Sequence, residues 1–336
     1  MKLSILLISA TLACTFNPVQ ANLIFSSISQ PGATSTNGLG VNNAGTAAGS
    51  STYAAGSGLA DSAWTWNASH TNFRIAVGGQ DVRTNVNGIS DDGTVVGFYD
   101  VGAVRTGFSR SVAGVVTNLG FVTGSTNTTP LDRNASGAIV GTTDVNATAN
   151  SANAFLYQNG SFLVSNYSFA GANRTQFNSI NNAGQIVGRW RDSAQLFHGL
   201  IYDSNTNVAI SYDLPGALQT HFFGVNDLGQ VVGYYTSASF VGTRGFLLNN
   251  ALDAIQGNDT FSDIIYSGGG QSGSAGSRAY SINDRGTIVG TYNGFSQAYI
   301  ATVPAPSTLA MLLLCGGFLG LRKNSSRKGS IKSLVK

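Results

Sequence analysis

General acid–base chemistry in this sequence falls to aspartate and histidine alone, because not one of its 336 residues is Glu. The three histidines, His70, His198 and His221, are too far apart for any two to share a local metal-ligand spacing, and H-E-x-x-H is absent. Three aspartates, Asp92, Asp227 and Asp284, sit in short Asn/Asp/Gly phrases that suggest a calcium loop or a catalytic carboxylate. The same phrases are explained by turn chemistry: Asn and Asp bond to backbone amides ahead of them, and Gly takes positive φ without steric cost. No serine lies in a G-x-S-x-G elbow. The two cysteines, Cys14 and Cys315, lie in apolar runs near the two ends, which leaves the body without thiol chemistry or a disulfide. No catalytic residue, metal ligand or cofactor is assigned, and the residues that would bind a ligand are left unassigned.

Aromatic side chains offer a different chemistry. Trp64, Trp66, Trp190, Tyr234, Tyr235 and Tyr292 could stack on sugar rings, although rings in such positions more often fill a core. In "WTW" the two tryptophans alternate and share one face, which suits packing. Hydrolysis of glycosides by two carboxylates would need Asp pairs assembled by folding, and the sequence displays none.

The elements that must position these residues are set out by a repeat. Six phrases align: "GVNNAGTAAG" (40–49), "GISDDGTVVG" (88–97), "DRNASGAIVG" (132–141), "SINNAGQIVG" (179–188), "GVNDLGQVVG" (224–233) and "SINDRGTIVG" (281–290). Their final glycines lie 48, 44, 47, 45 and 57 residues apart. Each phrase reads as strand, three-residue turn, strand, with Asn226-Asp227-Leu228-Gly229 forming a type I turn that ends in the left-handed region. A second hairpin follows, as in "AFLYQNGSFLVSNYSF" (154–169) and "GLIYDSNTNVAISYDLPG" (199–216). Four strands per period near 45 residues is a propeller blade. The lack of Glu, the absence of Lys from the body and the wealth of Val, Thr, Ser, Asn and aromatic residues argue against helical arrays of similar period.

The phase of the repeat predicts how the ring closes. The last period stops after its third strand, "SQAYIATV" (296–303), whereas "NLIFSSISQPG" (22–32) parallels a fourth strand, "NVAISYDLPG" (207–216). Pairing Leu23–Ser29 with the strand around Tyr299 completes one blade and removes the open edges. The expectation is an all-β fold, a single six-bladed β-propeller of four-stranded blades over 22–302, with a seven-bladed ring as the alternative. The glycine-rich stretch 267–278 reads as loop slack, since no phosphate-binding pattern or following helix accompanies it.

The two ends carry different signals. Residues 1–21 have one early positive charge, an apolar run and Val19-Gln20-Ala21, which predicts a signal peptide cleaved after Ala21. Leu12-Ala13-Cys14 as a lipidation site is the rival reading. Between Leu3 and Leu321, 11 Arg face 15 Asp for a formal −4, so the net +3 comes from the ends and gives no reason to expect a nucleic-acid partner. Near the C-terminus, Val303-Pro304-Ala305-Pro306 precedes an apolar run, Leu309–Leu321, and then Arg322 and Lys323. The segment 303–323 resembles the PEP-CTERM sorting signal of Gram-negative bacteria, with Ala305 where that family usually has Glu, and a longer basic tail over 324–336. The resemblance implies a short hydrophobic transmembrane helix, an inner-membrane-anchored precursor with a periplasmic body, an exosortase-type processing enzyme as partner, and a final place at the outer surface or outside the cell. The phrases "NAFLY", "HGLIY" and "INNAGQIVG" resemble bacterial extracellular HAF-type repeats over about 36–301.

The reading that follows is a non-enzymatic, exported cell-surface or matrix propeller with a binding or structural role, associated with exopolysaccharide. The alternative is a secreted carbohydrate-active hydrolase or lyase on the same fold. Asp pairs in the channel with an aromatic shelf would favour the enzyme, and a channel of Ser, Thr and Asn the binder.

Overall fold

Short strands rich in Val, Ile and Phe, punctuated by Asn-x-x-Gly turns, produce sheets and no helix among the described residues. A computed structural model describes residues 23–55, 61–144, 152–249, 260–266, 276–292 and 296–302. The expected signal peptide with its cleavage point at Ala21, the sorting segment 303–323 with its helix, and the tail 324–336 lie outside these residues.

Six four-stranded antiparallel sheets form the blades, so the ring has six blades and not seven. Blade 1 runs through Ser35–Val41, Ala47–Thr52, Ser62–Asn67 and Ser69–Phe73. Blade 2 comprises Thr84–Ile89, Val95–Val101, Val104–Arg110 and Val116–Asn118. Blade 3 comprises Thr128–Arg133, Ile139–Asp144, Ala152–Gln158 and Ser161–Tyr167. Blade 4 follows with Arg174–Ile180, Gln185–Arg191, Phe197–Asp203 and Val208–Tyr212. Blade 5 has Gln219–Val225, Val231–Thr236, Arg244–Asn249 and Thr260–Ile264. Blade 6 takes Arg278–Ile282, Ile288–Tyr292 and Gln297–Thr302 from one end of the ring and Ile24–Ile28 from the other. Its seam has the expected phase, with Ser27 opposite Tyr299 and Ile28 opposite Ala298. An additional hairpin, Ile75–Val77 with Gln80–Val82, turns at Gly78-Gly79 between blades 1 and 2.

The first strand of each blade packs against the first strands of both neighbours and encloses the channel. The apolar core lies in the wedges between blades. One wedge joins Val187 and Ile201 of blade 4 to Phe222, Val231 and Phe246 of blade 5. Another joins Ile28, Val289 and Ala298 of blade 6 to Val41, Ala47 and Trp64 of blade 1. Trp64 is wholly buried and Trp66 packs beside it, as their alternation suggested.

The repeated phrase does two jobs. Its first Asn makes the turn: Asn226 Oδ1 accepts from the Leu228 and Gln230 amides, and the turn closes with Gly229 at φ +75°. The Nδ2 of the same Asn then reaches the next blade. Asn134 donates to Asn181 O (3.1 Å), Asn181 to Asn226 O (3.3 Å), Asn226 to Asn283 O (3.0 Å), Asn283 to Asn42 O (2.8 Å) and Asn42 to Ser90 O (3.3 Å). Only the step from Ser90 to Asn134 is missing, because serine is too short. There Arg133 of blade 3 reaches back to Ser90 Oγ and pairs with Asp92 at 3.0 Å. A belt of side-chain bonds therefore ties turn to turn around one mouth of the channel.

Candidate functional site

The last glycine of the phrase explains how the channel is lined. In every blade the pairing of the first two strands slips by one residue, between Gly38 and Gly40, Val86 and Gly88, Pro130 and Asp132, Phe177 and Ser179, Phe222 and Gly224, and Ala279 and Ser281. Such a β-bulge re-aims one side chain. A Cβ on the glycine opposite, Gly188 for example, would sit 1.9 Å from Gln176 O, so only glycine fits there. The six re-aimed residues, Leu39, Asn87, Leu131, Asn178, Phe223 and Tyr280, together line a throat of about 70 Å³. These six residues had no assigned role in the sequence, because nothing marks a bulge except the position just ahead of the phrase.

Toward the turns, the channel ends in a polar mouth bordered by Asp91, Asp132, Asp227 and Asp284. Asp227 and Asp284 do not make their own turns, as the sequence suggested, but join neighbouring blades. Asp284 Oδ1 accepts from the Asp227 amide and Asp227 Oδ1 from the Asn182 amide, both at 2.8 Å. Asp92 does make its turn: burial works to raise it, but Ser90 Oγ, the Thr94 amide and Arg133 hold it down at about 2. Asp132 accepts from Ser179 Oγ (2.6 Å) and from the Ile180 and Arg133 amides, and burial pushes it up to about 6. Among the described residues no second carboxylate is hydrogen-bonded to it or contributes to this shift. Among the described residues no three His, Cys, Asp or Glu side chains converge as metal ligands would.

The three histidines have separate settings. His70 follows the tight turn at Ala68, within the strand Ser69–Phe73 rather than in the turn itself, and contacts Ser29 O. His198 stacks on Trp190 (4.5 Å) with Asp213 at 2.7 Å from Nδ1 and Asp192 at 3.4 Å from Nε2. Burial opposes its protonation, but the two carboxylates outweigh burial and raise its pKa. With both nitrogens facing carboxylates, it serves as a clamp rather than a free base. His221 is buried between arginines. Burial, then Arg189 and Arg278, depress it to about 2, so it is a neutral imidazole whose Nδ1 accepts from Arg189 Nη1 at 3.0 Å.

Arg189 leads to a cluster that sequence reasoning passed over. On the far side of the throat from the turns, one face of blade 4 carries Arg174 opposite Arg191 and Gln176 opposite Arg189. Arg189 donates to Gln176 Oε1 (2.7 Å) and Tyr234 OH (3.3 Å), and its guanidinium lies over Phe197 (4.7 Å) and Phe223 (5.1 Å). Arg278 lies over Tyr234 at 4.3 Å from the other side. The aromatics here hold cations in place: Tyr234 stacks on His221 at 4.3 Å and is itself buried, as is Tyr235. Of the rings considered for sugar contact, Trp66, Trp190 and Tyr292 stay partly exposed.

No family model and no curated protein matches this chain. Among solved structures it is similar to TolB from Acinetobacter baumannii, at 15% identity over 68% of this chain and 53% of that one, with a TM-score of 0.47. It is similar to a prolyl endopeptidase at 11% identity over 78% of this chain and 39% of that one (TM-score 0.47). A lectin from Aleuria aurantia, in complex with Fucα1-6GlcNAc, is similar at 10% identity over 82% of this chain and 99% of that one (TM-score 0.44). The chain thus spans about half the length of the first and less of the second, and these likenesses concern the fold alone.

Proposed function

We propose that this propeller is an exported binding module of the cell surface or extracellular matrix that holds exopolysaccharide, with the channel as its contact. The observation that supports this reading is the lining of the throat: two amides, two aliphatic side chains and two aromatic rings, one per blade, with no carboxylate among the six. Amides and rings recognise hydroxyl groups and the apolar faces of sugars, whereas glycoside hydrolysis needs two carboxylates at a set separation. The delivery part of the proposal rests on the two terminal segments, which suggest export, transient inner-membrane anchoring and processing by an exosortase-type enzyme despite Ala305.

A glycan array probed with the purified protein tests the binding reading, with Tyr280→Ala and Asn178→Ala as companions. Retention of one saccharide class, weakened tenfold or more by either substitution, is the expected result. Binding that ignores both substitutions would place the contact elsewhere, and release of reducing ends from a bound polymer would favour the hydrolase or lyase.

A further inference from the structure

The six blades are copies of one plan, so a position where one copy departs from the others at a physical cost carries information. Opposite the residue two before the bulge, the second strands present Ser50, Phe98, Thr142, Arg189, Tyr234 and Thr291. Five are neutral, and blade 4 alone places a guanidinium there. It adds Arg174 and Arg191 on the same face, directly opposite one another. Like charges facing across a strand pair repel, and a guanidinium withdrawn from water without a counter-charge is costly.

Neither Arg174 nor Arg189 forms an ion pair with a carboxylate among the described residues. The partners of Arg189 are an amide, an imidazole, a phenol and two rings, all neutral. Arg174 Nε is buried without a hydrogen-bond partner. Burial first, and then Arg189 and Arg191, work against its charge, with Asp144 the opposing carboxylate. Arg278 adds a further positive charge near Arg189 from blade 6. As whole residues Arg174 and Arg189 are partly rather than fully buried.

We propose that this face of blade 4, where it opens beside the throat, binds the carboxylate of an acidic saccharide, a uronate, through Arg174 and Arg189. The inference rests on the polysaccharide-binding reading and narrows it to anionic polymers. A planar carboxylate matches the donor fork of arginine, and the hydrogen bonds to Gln176, His221 and Tyr234 hold Arg189 ready before the ligand arrives. This face adjoins the throat at Phe223, which lies under the Arg189 guanidinium. Neutral His221 fits the arrangement, because it accepts from Arg189 and leaves the remaining guanidinium donors for the ligand.

Isothermal titration of the purified protein with a galacturonate tetrasaccharide, its methyl ester and a sulfated neutral tetrasaccharide tests the assignment. The acid is expected to bind, the ester to bind at least tenfold more weakly, and the acid's affinity to fall with added salt. Arg174→Gln and Arg189→Gln are expected to lower affinity for the acid tenfold or more; the melting temperature holds or rises in Arg174→Gln, which relieves repulsion against Arg191, and falls in Arg189→Gln, which strips Gln176 and His221 of a donor. Arg110→Gln, over Phe73 near blade 2, serves as the control that leaves binding unchanged. Equal binding of acid and ester overturns the uronate assignment and leaves the polysaccharide reading standing. Binding of the sulfated sugar in preference overturns the carboxylate. Unchanged affinity in both arginine variants, or a lower melting temperature without loss of affinity, overturns the site. Failure of all three sugars and of the glycan array overturns both readings.

Discussion

Ile28 is the one buried residue of the strand Ile24–Ile28 that closes the ring, and Ile28→Ala measures its worth. Ile28 is 1% exposed and belongs to the wedge where blade 6 meets blade 1, against Val41, Ala47, Trp64, Val289 and Ala298. Truncating such an isoleucine removes its transfer free energy and leaves a cavity between two blades, at a cost of about 3 kcal/mol. A domain of this size moves about 2–4 °C per kcal/mol, so the melting temperature is expected to fall by roughly 6–12 °C. Ile24, on the same strand, is 57% exposed, and Ile24→Ala is expected to stay within about 0.5 kcal/mol of the parent. Scanning calorimetry of the two variants beside the parent gives the comparison. A protein lacking residues 22–29 is expected to melt lower still and to recover when a peptide of those residues is added in excess, because the peptide binds only the folded ring. If Ile28→Ala melts like Ile24→Ala, the terminal strand does not close the ring and the assigned seam is wrong.

Other expectations address the belt, the glycines and the buried carboxylate. Asn283→Ala removes the bond to Asn42 O and the acceptor of the Arg285 and Thr287 amides, and should cost about 2–3 kcal/mol in urea denaturation, well above Leu228→Ala on an exposed turn. Gly184 has φ +81° and a Cβ there would meet Ser204 Oγ, so Gly184→Val should cost roughly 2 kcal/mol and leave ligand preference intact. Gly188→Ala should cost more, because its Cβ meets the Gln176 carbonyl and the backbone must yield. Asp132 has a folded pKa above its unfolded value, so its contribution to stability is present below about pH 4 and is lost as the pH rises through about 6. Asp132→Asn should therefore flatten the stability profile over that window, by roughly 1–3 kcal/mol relative to the parent. Melting curves from pH 4 to 7.5 check this, and parallel profiles for the two proteins would sink it.

The periodic phrase determined the number of blades, their four-strand order and even the phase of closure, because each of these follows from local turn chemistry repeated at a fixed spacing. Asn-x-x-Gly specifies the same hairpin wherever it stands, and a missing fourth strand at one end implies a donor at the other. The turns also showed the limit of local reading. Asp227 and Asp284 look like turn formers, yet they bond across to the next blade, a partner some 45 to 57 residues away that no local pattern encodes. The throat and the arginine face lay further out of reach. Leu39 and Tyr280, or Arg174 and Arg189, are unremarkable in their own segments and become neighbours only when six bulges re-aim one residue each and two strands are paired in register. A propeller builds its blades from short-range signals and its channel from long-range assembly, so the sequence determined the frame of this protein and the tertiary structure alone decided which side chains line its channel.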